Sequence, residues 1–345
     1  MAALAVVMGL VLFLPFSVKK VEEELEAFLF VVGALAVTVS GRWSLQLVRE
    51  SVIEPIKIAS AVLIGGVLFR MARSRIHRAV LSIERSLGLP LAMAAIILIL
   101  GLSSSFITAI IAALILAEVV TALKLERRYE LRFVVCACYA IGLGAALTPL
   151  GEPLSTIVAS KLQGPPHYAD FFYLARLLAW WIVPGIALVA GIGAWKVGRP
   201  VQSRETLRED KREDFQDIVL RAGKVYLFVM SLVFLGAGLA PLAEQATALA
   251  PDWALFWLNS LSAVLDNATL AAAEVVPSMS GTKITYALLG LLISGGMLIP
   301  GNIPNIISAT KLDIRSREWA VVAIPLGLVM MAGCFVSLLC LHATF

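Results

Sequence analysis

The chain has 345 residues, of which 60% are hydrophobic and 15% are charged, with a formal net charge of +4 and a mean hydropathy of +0.91. Soluble domains have about 45–50% apolar and about 25% charged residues, so this composition excludes a soluble globular protein, a disordered chain and a nucleic-acid-binding module. The apolar runs are solid and do not alternate, which also excludes a transmembrane β-barrel. The sequence therefore predicts an all-α polytopic protein of the cell (inner) membrane, surrounded by the lipid bilayer.

Apolar segments recur along the whole chain and define the predicted membrane-embedded elements. Two N-terminal transmembrane helices fall within residues 1–50, and further apolar segments cover 51–69, 90–123, 133–160, 171–195, 218–240, 254–276, 284–310 and 319–341. The cysteines lie in apolar stretches and the histidines lie in connections or near the C-terminus. Neither a disulfide framework nor a metal cluster is predicted from them.

The positions of the 28 Lys and Arg residues predict the orientation in the membrane. One set of connections contains 22 of them and the other set contains 6, and the basic set marks the cytoplasmic side. This division requires that 90–123 and 254–276 each enter and leave on one face, as re-entrant hairpins. About eight full spans, two of them broken, then place both termini outside. Two ordinary helices with polar kinks are the alternative.

Polar interruptions within both segments support the hairpins. In the first segment, about a dozen apolar residues precede Ser103-Ser104-Ser105, which is a helical length of about 18 Å and roughly half of the ~30 Å hydrocarbon core. In the second segment, a polar stretch covers residues 260–269. We therefore expect a helix break at the serines and another near the second stretch.

The chain contains an internal repeat of opposite orientation. GEPLSTIVASKL at 151–162 matches GNIPNIISATKL at 301–312 with five of twelve residues identical, and the sequence Ala-Glu-Val-Val occurs at both 117–120 and 273–276. Upstream, a one-residue slip aligns Gly144 and Pro149 with Gly295 and Pro300. Each copy has an odd number of full spans, so the second copy is inverted, which is an architecture of secondary transporters.

The predicted organisation has four parts. Two transmembrane helices (1–50) precede repeat 1 (51–197), which consists of a span, the hairpin 90–123, the broken helix 130–163 and a span. A cytoplasmic linker (198–217) leads to repeat 2 (218–345), which consists of a span, the hairpin 251–279, the broken helix 283–312 and a span.

Two acidic residues lie within the interrupted segments. Glu152 is at the break of the first broken helix, where Asn302 has the equivalent place in the second, and Asp266 is at the tip of the second hairpin. A carboxylate at this depth is costly, so it usually faces a polar interior and marks an ion path. Helix capping and a packing network are the structural alternatives. We predict that Asp266, Asn267 and Glu152 bind Na⁺.

Neutral oxygens near these acids complete the predicted ion-binding set. They belong to hydroxyl and amide side chains at the hairpin tips and helix breaks: Thr269, Asn302, Asn305, Ser155, Thr148, Ser104, Ser105 and Thr108. The two asparagines of the second break can also cap its half-helix. No cofactor is expected beyond a coupling ion, Na⁺ or H⁺ or both.

Further charged residues match between the repeats. Glu118 and Glu274 are candidates for proton-linked groups, and we expect both near the hairpin mouths, where water reaches them. Lys161 and Lys311 also correspond, and because each lies at a helix end we expect both to snorkel to the membrane surface.

The tip SAVLDNATLAA, the repeated Gly-Glu/Asn breaks and the order of the hairpins resemble the ion transporter superfamily, which includes ArsB/NhaD-type permeases and divalent anion/sodium symporters. LPFSVKKVEEELEAF and GGMLIPGNIPNIISATKL resemble more closely a prokaryotic family of predicted cation transporters of unknown function. The resemblance implies that tips and breaks meet at a midplane site, here Asp266, Asn267, Glu152, Asn302 and Asn305. The first tip departs from the Ser-Asn-Thr pattern of the sodium/dicarboxylate branch.

The favoured function is secondary active transport of a small inorganic cation, with sodium/proton exchange by alternating access. Two acids and several neutral oxygens suit a hard cation, and a buried carboxylate takes a proton readily when the cation leaves. Sodium-coupled transport of an anion or organic acid, of the arsenite or dicarboxylate type, is the alternative. An enzyme is disfavoured because the common hydrolase motifs are missing from the sequence. The sequence does not distinguish a channel from a transporter, and it does not define the coupling ratio or whether the protein forms a homodimer.

Overall fold

A computed structural model of the chain describes residues 2–18, 20–21, 24–123, 125–195, 215–248 and 250–343, and these residues contain helices and no strand. The helices of the first half are α1 (Ala2–Ser17), α2 (Leu25–Ser40), α3 (Leu45–Leu87), α4 (Leu89–Ile107), α5 (Ala109–Leu123), α6 (Arg127–Ala145), α7 (Pro153–Lys161) and α8 (Tyr173–Ala194). Those of the second half are α9 (Phe215–Ala248), α10 (Asp252–Leu258), α11 (Asn267–Glu274), α12 (Gly281–Gly295), α13 (Ile303–Leu312) and α14 (Ser316–Ala343), with 3₁₀ turns at Asn259–Ala263 and Ile299–Gly301.

Several of these helices are apolar and long enough to cross a bilayer. In the described part of the chain they are Leu89–Ile107, Tyr173–Ala194, Ile218–Leu242 and Ser316–Cys340, and shorter apolar helices cover Ala2–Pro15, Leu25–Ser40 and Ala109–Leu123. The protein is therefore an all-helical membrane protein, as its composition predicts.

The first long helix extends well beyond its predicted span. Helix α3 covers 43 residues, about 64 Å at 1.5 Å per residue, so it begins inside the predicted N-terminal unit 1–50 and continues past residue 69. Hydropathy detects only the lipid-facing part of a helix, whereas the arginine-rich stretch after residue 69 is polar but has good helix propensity. The predicted linker 198–217 lies mostly outside the described residues, and α9 begins at its end.

The first hairpin does not break at its serines, contrary to the sequence prediction. Helix α4 continues through Ser103–Ser105 because their hydroxyls donate to backbone carbonyls three residues earlier, which satisfies them inside the helix. The turn comes at Thr108, whose φ of +74° is in a region that β-branched residues rarely adopt. This strained residue separates α4 from α5.

Both hairpins run beside the broken helix that follows them. In the first, Gly101 packs closely on Ala140 and Ser104 Oγ donates to the Ile141 carbonyl at 3.0 Å, so α4 is parallel to α6. In the second, Gly290 packs on Phe256 and Ser294 contacts the 3₁₀ turn, so α10 is parallel to α12. Short connections join each second arm to the same broken helix. Each hairpin therefore enters and leaves at one end of that helix.

Helices α3 and α9 pack against the hairpins through aliphatic side chains. Val62 of α3 and Val225 of α9 share one cluster with Ala113 and Leu114 of α5 and with Ile307 of α13. Helix α2 packs closely on α9, and Gly33 and Gly238 permit the approach. The hairpins and broken helices are thus backed by an apolar surface.

Candidate functional site

The two breaks have the same backbone geometry. In the first, helix α6 ends at Ala145 and α7 begins after Glu152; in the second, α12 ends at Gly295 and α13 begins after Asn302. Glu152 and Asn302 are both extended, with φ −155° and ψ of 163° and 146°, and a proline occupies the first turn of each restarted helix.

A side chain of the restarted helix holds each break in place. Ser155 Oγ lies 3.4 Å from the Ala145 carbonyl oxygen and 2.7 Å from that of Thr148. Asn305 Nδ2 donates at 2.9 Å to the Gly295 carbonyl and at 2.9 Å to the carbonyl three positions later. The corresponding residues of the two breaks, such as Ser155 and Asn305, are all 150 residues apart in the sequence. The one-residue slip that the sequence alignment predicts upstream of the break is therefore wrong.

Glycine is required where each break folds back on its first half-helix. A Cβ on Gly151 would lie 2.0 Å from the Ala145 carbonyl oxygen, and one on Gly301 would lie 2.5 Å from that of Gly295. The Gly151 carbonyl also accepts the Ala109 amide at 2.9 Å, which ties the first break to the first hairpin.

The second hairpin brings its tip to the first break. The buried Glu152 carboxylate interacts with the Asn267 side chain and with the Asp266 carboxylate. Glu152 Oε1 and Asn267 Nδ2 are nevertheless buried without a hydrogen-bond partner of good geometry. Glu152 therefore interacts with both other predicted sodium ligands, although more than 100 residues separate it from them.

Asp266 caps the second arm of its hairpin. Its Oδ2 accepts the Thr269 amide at 3.0 Å and the Thr269 hydroxyl at 3.2 Å, so the capping alternative is realised. The Thr269 side chain packs on Gly236 of α9. The capping bonds use one carboxylate oxygen, which leaves Oδ1 outside them.

Two further acceptors lie beside the second break. Ser262 Oγ and Asn305 Oδ1 are buried without a partner, and both side chains lie next to Gly295. Ser262 was not among the predicted ligands, although it lies in the polar stretch of the second hairpin. The described residues contain no group of three or more His, Cys, Asp or Glu side chains that could hold a metal ion. The mixture of carboxylate, amide and hydroxyl oxygens is of the kind that hard cations prefer.

The predicted ligands Thr148, Ser104 and Thr108 make hydrogen bonds to backbone groups at and near the first hairpin. Thr148 Oγ1 donates to the Ser105 carbonyl, Ser104 donates to carbonyls of α4 and α6, and Thr108 Oγ1 accepts the Ile111 amide at 3.4 Å. These contacts do not bring them to Glu152.

Asn302 has a different neighbour from its repeat equivalent. Its side chain packs on Gly142 of the first broken helix, and it is buried there. It therefore lies between the two broken helices, whereas Glu152 faces the second hairpin.

Glu118 and Lys311 form a buried ion pair, with side-chain exposures of 9% and 2%. The expectations that water reaches Glu118 and that Lys311 snorkels to the surface are therefore wrong. A buried ammonium or carboxylate is costly when it has no charged partner. Each of these two groups offsets the charge of the other, so the arrangement is stable only while both are present. Lys161, the repeat equivalent, is exposed and donates to the carbonyls of Ala272 and Val275 at the end of α11.

Comparison with known proteins gives a family and no named relative. Residues 1–341 match a family model described as "Protein of unknown function (DUF1646)". A search of curated proteins finds no match to the chain. Because the family match covers nearly the whole sequence, the chain belongs to the DUF1646 family.

Proposed function

We propose that this protein is a secondary active transporter of a small cation and that it exchanges sodium for protons by alternating access. The moving ion binds where the tip of the second hairpin meets the first break. The proposal includes an inverted-topology repeat, two re-entrant hairpins and a relation to the ion transporter superfamily.

One observation carries the proposal. Glu152 and Asp266 come from different repeats, yet their carboxylates interact electrostatically, and Glu152 Oε1 is buried without a partner. Two interacting carboxylates inside a membrane protein repel each other unless a positive charge offsets them. A cation or a proton supplies that charge, and exchange follows if the two compete for the same oxygens.

Contacts between distant segments agree with the proposed topology. On the predicted cytoplasmic side they join Glu118 with Lys311, Arg127 with Glu318 and Arg132 with Trp195. On the predicted outer side they join Lys161 with Val275, His167 with Met279 and Lys283 with Ala250. None of these contacts joins segments that the charge distribution assigns to opposite faces.

The helix dipoles favour a cation over an anion. The N-terminal ends of α7 and α11 are partly positive, and each has a carboxylate at its cap, Glu152 and Asp266. An anion bound there would meet these acids. Protein carboxylates therefore already occupy the places that an anionic substrate would use.

Sodium-coupled anion transport is the second candidate, and one observation favours it. The N-cap residue of helix α13 is the neutral Asn302, whose side chain makes no capping hydrogen bond. The partly positive N-terminal end of this half-helix would attract an anion through the Ile303 amide, because Pro304 has no amide hydrogen and the Asn305 amide donates to the Asn302 carbonyl. In that case the acids would hold the coupling sodium ion.

Counterflow in proteoliposomes tests the proposal. The purified full chain is reconstituted, and uptake is measured across Na⁺, K⁺, Li⁺, H⁺, arsenite and dicarboxylates. We expect a sodium gradient to drive proton movement and neither anion to accumulate. Sodium-dependent uptake of arsenite or a dicarboxylate, without proton movement, would replace the exchanger by the symporter.

Cysteine labelling tests the orientation. In a variant whose exposed Cys340 is replaced by Ser, single cysteines at Arg128 and Tyr168 are both accessible positions. We expect the first to react only from the cytoplasm and the second only from outside. Reaction of both from the same face would contradict the proposed topology.

A further inference from the structure

A second pair of unpartnered oxygens lies further along the second hairpin. Asn259 is 1% exposed, and its Nδ2 donates to the Ala287 carbonyl at 2.9 Å, while its Oδ1 has no partner. Glu274 Oε2 is likewise buried and unpartnered, and the Glu274 carboxyl interacts with the Asn259 side chain. Asn259 Oδ1 and Glu274 Oε2 are both buried acceptors, and such oxygens normally accept a hydrogen bond or bind a cation.

Their place on the hairpin connects them with the Glu152 site. Glu274 follows Asn267 by seven residues on α11, which is two helical turns and about 10 Å along the axis, so the two side chains share one face. Asn267 interacts with Glu152. The Glu274–Asn259 pair is therefore one step from that site toward the predicted outer surface.

The charged groups nearby leave the Glu274 carboxylate without a lysine partner. Among the described residues of the helices packed on α11, Lys161 of α7 donates to backbone carbonyls, and Lys283 of α12 pairs with Asp252 at 3.8 Å. Lys224 of α9 pairs with Glu26. By contrast, Glu118, the repeat equivalent of Glu274, is neutralised by a buried lysine.

We propose that Glu274 and Asn259 form a second binding position for one positive charge, a proton or a sodium ion, on the outer side of the Glu152 site. The position serves as a station through which the ion or proton passes to and from the outside. This pathway role rests on the proposed transport function, whereas the binding of the charge does not.

Binding measurements on the full chain in lipid nanodiscs test the proposal. Radioactive sodium counts the bound ions, and infrared difference spectra during a pH titration count the protonated carboxyl groups. We expect Glu274→Gln to lose either one bound sodium ion per chain or the infrared band of a carboxyl group that stays protonated at neutral pH. The first result identifies a sodium site and the second a proton site. The exposed acid substitution Glu126→Gln is the matched control and should keep both the sodium count and the neutral-pH carboxyl band.

A second variant covers the case in which Glu274→Gln fails to fold. Asn259→Ala leaves the carboxylate in place and removes its neutral neighbour, so it should weaken sodium binding or shift the carboxyl titration. Unchanged sodium binding and an unchanged neutral-pH carboxyl band in the folded variants would overturn the proposal. Failure of the wild-type chain to transport any ion would instead contradict the proposed function and leave these binding counts interpretable.

Discussion

The two breaks have one backbone design and two different chemistries. Each break has an extended residue before a half-helix that has a proline in its first turn. In each, a side chain of that half-helix donates a hydrogen bond to a carbonyl of the preceding segment. The first break places Glu152 against the opposite hairpin, whereas the second places the neutral Asn302 between the broken helices. The two breaks therefore share one backbone scaffold, and single substitutions within it decide where charge accumulates.

The largest expected effect comes from removing the negative charges that meet at the first break. Glu152→Gln gives both breaks an amide, and Asp266→Asn removes the second charge but keeps a good N-cap for α11. We expect each to lower sodium-driven proton transport about 100-fold or more, because a lost charged ligand costs about 3 kcal/mol. Proteoliposome flux measures the effect.

Exposed acids provide the controls for these two variants. Glu126→Gln and Asp170→Asn make the same chemical changes on connections outside the site and should retain wild-type flux. Near-wild-type flux in both Glu152→Gln and Asp266→Asn would remove the proposed site.

The next effect compares the two lysines of the repeat. Lys311→Met leaves Glu118 buried and unpaired, so the free energy of unfolding should fall by about 3–5 kcal/mol. Lys161→Met removes an exposed ammonium from two carbonyls, and should cost clearly less. Denaturant titration in mixed micelles measures both.

A double variant separates the ion pair from general packing. Glu118→Gln combined with Lys311→Met removes both charges, and we expect it to be more stable than Lys311→Met alone. Equal stability of Lys311→Met and Lys161→Met would show that the two repeats are alike at this position.

The smallest effect concerns the shared scaffold. Asn305→Ala frees two buried carbonyls of the second break and should cost about 1–3 kcal/mol of unfolding free energy. Ser155→Ala affects the first break in the same way, with one hydroxyl donor instead of two amide hydrogens, so its cost should be the lower of the two. The same titration compares them, and a harmless Asn305→Ala variant would contradict the scaffold role.

Much of the helical layout follows from local sequence, because apolar length, glycine and proline act within a few residues. The proximity of Glu152 to Asp266 could also be anticipated, since polar groups inside a membrane protein gather away from lipid. The Glu118–Lys311 pair could not, because both residues look interfacial by position alone and the contact spans 193 residues. The continuous helix through Ser103–Ser105 depends on hydroxyl bonds that hydropathy does not register.

The central claim is that one set of oxygens serves sodium and protons in turn, and sodium binding measured by calorimetry in two buffers of different ionisation enthalpy tests it most directly. We predict that sodium addition releases protons from the wild-type protein and that Asp266→Asn reduces this release. No proton release with Na⁺, K⁺ or Li⁺, together with sodium affinity that rises when an anion is added, would contradict the claim, because such reciprocal coupling belongs to a symporter.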